Sequence, residues 1–168
     1  MLNFVVNFFE KSNKVIGEYI SWFIIFMVII QLTIVMARYI FGIGFLKLQE
    51  LLIYLHGLSF TLAAGYTLLN DEHVRVDLIY RPSSDMYKSI INILGSLFFL
   101  IPFCLITYST SLPYVQRSWK IFEGSPETSG LNAVFLLKTA LIIFPLLLLI
   151  QAVSIIYRNI KKIIESKN

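Results

Sequence analysis

Side chains that titrate, bind metals or act as nucleophiles are scarce in the apolar stretches of this sequence. His56 is the one side chain within such a stretch that titrates near neutral pH, and the second histidine, His73, lies in a charged segment. A pair of facing haem ligands is therefore disfavoured. Cys104 is the single cysteine, so an internal disulfide, a thiol redox pair or a zinc site is not available to this chain alone.

Known catalytic motifs give no support to an enzyme. The sequence contains no P-loop, GxSxG, HExxH or CxxC arrangement. We therefore expect no catalytic residues, no cofactor and no metal. For His56 we expect a hydrogen bond between helices rather than a role as a ligand, and for Cys104 the role of a small apolar packing residue.

The charged residues of greatest interest lie at the edges of apolar stretches. Arg38 ends the first stretch and Glu50 begins the second, across a short glycine-containing turn. Both should lie at a similar depth, which predicts either a salt bridge that clamps the two helices or separate side chains that extend to the interface. Glu18 also lies at an edge, so no carboxylate lies at the centre of a stretch.

Composition identifies the elements that must position these residues. The 168 residues are 57% hydrophobic and only 14% charged, whereas a soluble domain has roughly 25% charged residues. Four apolar runs are each close to the ~20 residues that a helix needs to cross a bilayer. We predict an all-α integral membrane protein with one four-helix domain over residues 1–168 and spans at about 19–40, 49–69, 88–112 and 134–157.

The basic residues predict the orientation. Four spans place both termini and the second loop on one side, together with nine of the fourteen basic residues. The positive-inside rule then predicts that both termini are cytoplasmic. This distribution also explains the net charge of +4 better than a nucleic-acid ligand does.

Two further segments have the pattern of amphipathic helices that lie in the membrane interface. One precedes the first span, and its apolar members are Leu2, Val5, Phe9 and Ile16. The other begins the outer loop at residues 113–130, with Val115, Trp119 and Phe122 on one face. Pro102 and Pro145 interrupt the third and fourth spans, and we interpret them as ordinary kinks.

An ordered set of short motifs resembles the small membrane subunit of the tripartite ATP-independent periplasmic (TRAP) transporters, the DctQ-type family. The set covers nearly the whole chain. It comprises Arg38, the pair Gln49-Glu50, Gly65, the stretch His73-Val74-Arg75-Val76-Asp77, the stretch Glu123-Gly124-Ser125-Pro126-Glu127, then Leu131 and Leu136-Leu137-Lys138.

The resemblance implies a protein of the bacterial cytoplasmic (inner) membrane with two protein partners. One is a large multi-span subunit that holds the substrate and sodium sites and moves by an elevator-type motion. The other is a periplasmic binding protein that delivers the substrate, usually an organic acid such as sialic acid or a dicarboxylate. The small subunit would then be a scaffold, surrounded by lipid, that also helps the binding protein to dock.

The resemblance also assigns candidate roles to individual residues. Candidates for partner contacts or structural polar contacts are Arg38, Gln49, Glu50, His73, Arg75, Asp77 and Lys138. Candidates for docking of the periplasmic protein are Arg117, Lys120, Glu123 and Glu127. For the stretch from His73 to Asp77, a charged turn that anchors the second span remains an equal alternative.

Two other function classes stay open at this stage. An autonomous homodimeric transporter would need a carboxylate at mid-membrane or a substrate cavity in the dimer. A membrane-bound redox subunit would need more histidine ligands than the two that the sequence contains.

Overall fold

The computed structural model describes residues 2–73, 80 and 82–166. The described chain consists of helices joined by short connections. We number the helices in chain order: α1 (Leu2–Phe41), α2 (Leu46–Leu62), α3 (Ala64–Leu69), α4 (Asp85–Gly95), a π-helical segment (Ser96–Leu100), α5 (Ile101–Lys120) and α6 (Val134–Glu165).

These helices confirm the all-α membrane fold. Four continuous helical stretches are long and apolar enough to cross a bilayer, namely Asn3–Phe41, Leu46–Leu69, Asp85–Lys120 and Val134–Glu165. Each covers one of the spans expected from the sequence. Gly42 ends α1 with a φ of +67°, a conformation that glycine adopts without a steric penalty, and the chain turns directly into α2.

Helix α6 is the centre of the bundle. It packs against every other helix and has the largest buried share of the four membrane helices. Several of its buried residues are small, including Ala140, Ala152 and Ser154. Small side chains allow helix backbones to approach closely where the membrane supplies little hydrophobic driving force between helices.

The N-terminal segment packs along α6 instead of forming a separate interfacial helix. α1 runs without a break for 40 residues, or about 60 Å, which is twice the thickness of the hydrocarbon core. Its first turns are held by Glu10, which forms a two-pronged ion pair with Arg158, and by Asn3, which accepts a hydrogen bond from the Tyr157 hydroxyl at 2.6 Å. Both chain ends therefore lie at one end of the bundle, which we call the terminal end.

The segment from Pro113 to Lys120 also differs from the sequence-based expectation. It continues α5 by two turns, and its Val115 is only 2% exposed, so the loop begins at Ile121. The prolines do not divide the spans into half-helices. Pro102 follows the π-helical segment, where the altered hydrogen-bond pattern accommodates a residue that has no N–H to donate.

Candidate functional site

The 121–133 loop is fastened to the start of α2 by Glu50. One carboxylate oxygen of Glu50 accepts a hydrogen bond from the Ser125 hydroxyl, and the other accepts one from the Leu131 backbone N–H at 2.5 Å. One helical turn further on, the Tyr54 hydroxyl donates to the Leu131 carbonyl at 3.4 Å. A single helix face thus holds both backbone groups of Leu131.

Ser125 also organises the loop internally. Its backbone N–H donates to the Leu131 carbonyl at 3.1 Å, and its hydroxyl oxygen accepts the Glu127 N–H at 3.1 Å. Gly130 lies against this arrangement, and a Cβ there would fall 2.2 Å from the Ser125 hydroxyl oxygen and 2.7 Å from Glu50. The loop can close in this way only because residue 130 has no side chain.

A second attachment joins the loop to α6. The Glu123 carboxylate accepts a hydrogen bond from the Lys138 ammonium group at 2.5 Å. The same ammonium group lies 4.1 Å from the centre of the Tyr114 ring on α5. We call Glu50, Glu123, Ser125, Leu131 and Lys138 the loop cluster.

Aromatic side chains pack beside the loop cluster. Phe135 meets Trp119 and Phe122 edge to face, with ring centres 4.8 Å and 5.6 Å away. The Trp119 indole N–H donates to the Thr139 hydroxyl at 2.9 Å, which links the end of α5 to α6. The loop is therefore bound on three sides, by α2, α5 and α6.

The ion pair shifts the pKa of Glu123. The ammonium group of Lys138 lowers the pKa of Glu123 below its ordinary value of 4.5. The contribution of this pair to stability is therefore fully present above pH 4.5 and is lost as the pH falls through the lowered pKa.

We expect this loss to be visible in the fluorescence of Trp119. Trp22→Phe would leave Trp119 as the single tryptophan, since the chain has two. Emission should stay constant from pH 7 to 4.5 and change below that. In a Lys138→Met background the midpoint should move up towards 4.5, because the cation that favours the carboxylate is absent. Equal midpoints with and without Lys138 would contradict this assignment.

Of the two alternatives that the sequence left open for Arg38 and Glu50, the salt bridge is not formed among the described residues. Arg38 is exposed in the last turn of α1 and pairs with no carboxylate in the part of the chain that the structure describes, whereas Glu50 turns towards the loop. The physical reason is that two donors from the loop, the Ser125 hydroxyl and the Leu131 N–H, already occupy both oxygens of Glu50.

The four charges proposed for docking divide into two groups. Glu123 forms an ion pair with Lys138, so its charge is neutralised within the chain. Arg117, Lys120 and Glu127 are exposed, and none forms an ion pair with another described residue. Of the four charges proposed for docking, the unpaired ones therefore belong to the end of α5 and to the tip of the loop.

A buried polar network lies towards the terminal end. Asn13 is only 1% exposed and donates to the Leu147 carbonyl at 3.3 Å and to the Gln151 side-chain oxygen at 3.1 Å. Gly65 packs directly on it, and a Cβ there would fall 2.5 Å from the Asn13 amide oxygen. Asn13, Gly65 and Gln151 thereby lock α1, α3 and α6 together.

The family comparison agrees with the ordered motifs. The family model described as "Tripartite ATP-independent periplasmic transporters, DctQ component" matches residues 27–162. The chain belongs to the DctQ family. No curated protein and no solved structure shows significant similarity to it. DctQ proteins are transporter components of the inner membrane that associate with other TRAP components, and the family is not one of enzymes.

The structure shows where most motif residues of this DctQ chain lie. Glu50, Ser125, Leu131 and Lys138 meet in the loop cluster, although as many as 88 positions separate them in the sequence. Gln49 is half-buried on α2 and His73 is exposed after α3. Arg75 and Asp77 lie outside the described residues.

The sequence analysis missed Gly130, Asn13 and Gln151. Gly130 follows the polar loop motif closely, so a tight turn at this glycine could have been predicted from the sequence. Asn13 and Gln151 carry no such signal, because Asn13 is one of three asparagines in a mixed N-terminal stretch and Gln151 is one amide in an apolar run. Cys104, by contrast, is fully buried and free, as expected of a packing residue.

Chemical groups that could perform catalysis or transport are sparse in the described chain. Residues 2–73, 80 and 82–166 contain no cluster of three or more potential metal ligands. A cavity of about 1220 Å³ opens at the terminal end, but the carboxylate of Glu10 on its wall is occupied by Arg158. The arrangement can hold helices and a loop in fixed positions.

Proposed function

We propose that this DctQ chain is the static scaffold of its transporter. In this role it holds the large membrane subunit at a fixed height and presents the 121–133 loop to the periplasmic substrate-binding protein. The observation that carries the proposal is the loop cluster, in which Glu50 and Lys138 fasten the loop to two membrane helices. A docking surface benefits from such rigidity because less conformational entropy is lost on binding.

The proposed orientation places the loop cluster in the periplasm and both termini in the cytoplasm. The excess of basic residues in the termini and the second loop, counted in the sequence, supports it. The free charges of Arg117, Lys120 and Glu127 would then face the soluble partner, where exposed charges steer association more than they add affinity. The proposed cargo is an organic acid, such as sialic acid or a dicarboxylate, taken up with sodium by the complete transporter.

An autonomous homodimeric transporter is the weaker alternative. It would need a carboxylate near mid-membrane. Glu10 and Glu18 precede the apolar run of α1 that begins at Tyr19, and Glu50 lies at the start of α2, so none is at the centre of an apolar run. Each also has a partner within the chain: Arg158 for Glu10, Lys14 for Glu18, and Ser125 with Leu131 for Glu50.

The test is co-expression of the tagged chain with its chromosomal neighbours, followed by extraction in mild detergent. We expect a large multi-span protein to co-purify with it. In liposomes, uptake of radiolabelled sialic acid or succinate should require the chain, this large protein and the neighbouring binding protein together. A chain that purifies as a homodimer and moves a solute without the other two would contradict the scaffold role.

A further inference from the structure

One face of α2 presents three exposed side chains in a row, beginning one turn after the half-buried Gln49. Gln49, Ile53, His56 and Phe60 follow one another at intervals of four, three and four, which places them on a single helix face. Ile53 is 60% exposed, Phe60 is 79% exposed and His56 is exposed between them. We call these four residues the α2 stripe.

His56 lies near the middle of the membrane-spanning stretch. It is ten residues from Leu46 and thirteen from Leu69, or roughly 15 Å and 20 Å along the axis at 1.5 Å per residue. The hydrocarbon core is about 30 Å thick, so the short imidazole side chain is too far from either interface to reach water. His56 forms no side-chain hydrogen bond with any described residue, so the interhelical bond expected from the sequence is not formed within residues 2–73, 80 and 82–166.

Contact with lipid tails is energetically unfavourable for the His56 side chain. An imidazole always carries at least one N–H donor, and hydrocarbon offers it no acceptor. Ionisable residues in membrane helices are rare for this reason, and they almost always face protein or a water-filled cavity. A second membrane-embedded protein segment must therefore cover the α2 stripe.

We propose that the α2 stripe is the seat of one transmembrane helix of the large TRAP subunit and that His56 hydrogen-bonds to a hydroxyl or carbonyl group of that helix. The inference rests on the proposed scaffold function. Continuity supports this occupant over a second copy of the chain. The stripe begins at Gln49, beside Glu50 of the loop cluster, so a helix seated on it would end next to the loop that receives the third component.

The apolar members of the stripe fit the same occupant. Ile53 and Phe60 flank His56 by about one turn on either side, and they would enclose its hydrogen bond in apolar contacts. Polar groups that bond across membrane helices commonly contribute modest energies, which are supplemented by close packing. The stripe thus offers one specific polar contact within an apolar surface.

The first experiment replaces polar side chains in the tagged complex. His56→Leu should lower the recovery of the large subunit about threefold to tenfold, the effect of losing one interhelical hydrogen bond. Recovery with His56→Asn should lie nearer to the wild type, because the amide retains a donor. Gln31→Leu is the matched control, since Gln31 is an exposed polar residue on another helix. Equal recovery with His56→Leu and Gln31→Leu would overturn the proposal.

The second experiment maps the covering protein directly. A benzophenone amino acid is placed at Phe60, or at the similarly exposed Leu32 of α1 or Phe98 of the π-helical segment, which are 63% and 64% exposed. Irradiation of the intact complex should give an adduct with the large subunit from Phe60 and not from Phe98.

The outcomes separate this inference from the proposed function. Failure of the wild-type chain to co-purify with a large subunit would remove the proposed function and the inference with it. An intact complex whose adducts arise from Leu32 or Phe98 but not from Phe60 would overturn the inference alone. An adduct from Phe60 between two copies of the 19.4 kDa chain would also overturn it.

Discussion

Glu50→Ala is expected to release the 121–133 loop without unfolding the bundle. The carboxylate is the acceptor for both the Ser125 hydroxyl and the Leu131 N–H, and its removal leaves these two donors without their partner. Hydrogen bonds to a charged group contribute about 1.5–3 kcal/mol each. Since about 1.4 kcal/mol corresponds to a factor of ten, amide hydrogen exchange in the loop should accelerate at least about tenfold.

Three variants make this test specific. Gln49→Ala alters the neighbouring residue, which has no side-chain bond to the loop, and it should leave exchange unchanged. Glu50→Gln keeps one acceptor oxygen and should give an intermediate rate. The double variant Ser125→Ala, Glu50→Ala should destabilise the loop, measured by hydrogen exchange, by less than the sum of the two single variants. The reason is that the two residues share one hydrogen bond. Equal exchange in Glu50→Ala and Gln49→Ala would show that the carboxylate does not hold the loop.

The same variant also tests the docking role of the loop. If the loop presents a rigid surface, Glu50→Ala should weaken binding of the neighbouring substrate-binding protein while the large subunit still co-purifies. The separation is expected because Glu50 lies at the end of α2, whereas the proposed helix seat extends along α2 to Phe60. Loss of both partners together would point to a general folding defect.

The membrane helices could be predicted from the sequence because the bilayer imposes a simple rule. A span needs about 20 apolar residues, and the four runs meet this requirement. The extensions beyond the bilayer could not be predicted in the same way. Residues 3–14 and 113–120 are mixed in polarity, and their positions depend on packing against α6, which local pattern does not encode.

The partners of Glu50 could not be identified from the sequence. Its place at the start of a span made a polar contact predictable, and Arg38 was the nearest candidate along the chain. The actual donors are 75 and 81 positions away, and they reach Glu50 through a folded loop. Loop conformation depends on features such as the buried Gly130, whose importance emerges only when the loop and α2 are seen together.

The loop cluster and the buried Asn13 contact use different kinds of hydrogen bond. Glu50 and Lys138 hold the loop with charged hydrogen bonds, whereas Asn13 and Gln151 join helices with neutral ones at a fully buried position. In a membrane, where apolar side chains have little hydrophobic drive to associate, interhelical hydrogen bonds of this kind add to the close packing of the helices.

Gly65→Ala is expected to destabilise the bundle strongly for a one-methyl change. The added Cβ would lie 2.5 Å from the Asn13 amide oxygen and 3.1 Å from Cβ of Leu147, so α3 would have to move away from α1 and α6. Overpacking of this kind typically costs about 1–3 kcal/mol. For a chain of this size the thermal midpoint in detergent should fall by roughly 3–10 °C.

Gly95→Ala is the matched control for this prediction. Gly95 is also helical, with φ of −61° and ψ of −42°, but a Cβ there meets nothing within 4 Å. Alanine should therefore leave the midpoint unchanged or raise it. It lowers the conformational entropy of the unfolded chain, which typically stabilises a protein by about 0.4–1 kcal/mol. The double variant Asn13→Ala, Gly65→Ala should be less destabilised than the sum of its parts, because removal of the Asn13 side chain makes room for the methyl group. Equal midpoints for Gly65→Ala and Gly95→Ala would mean that α3 is free to shift and that Asn13 does not fix its position.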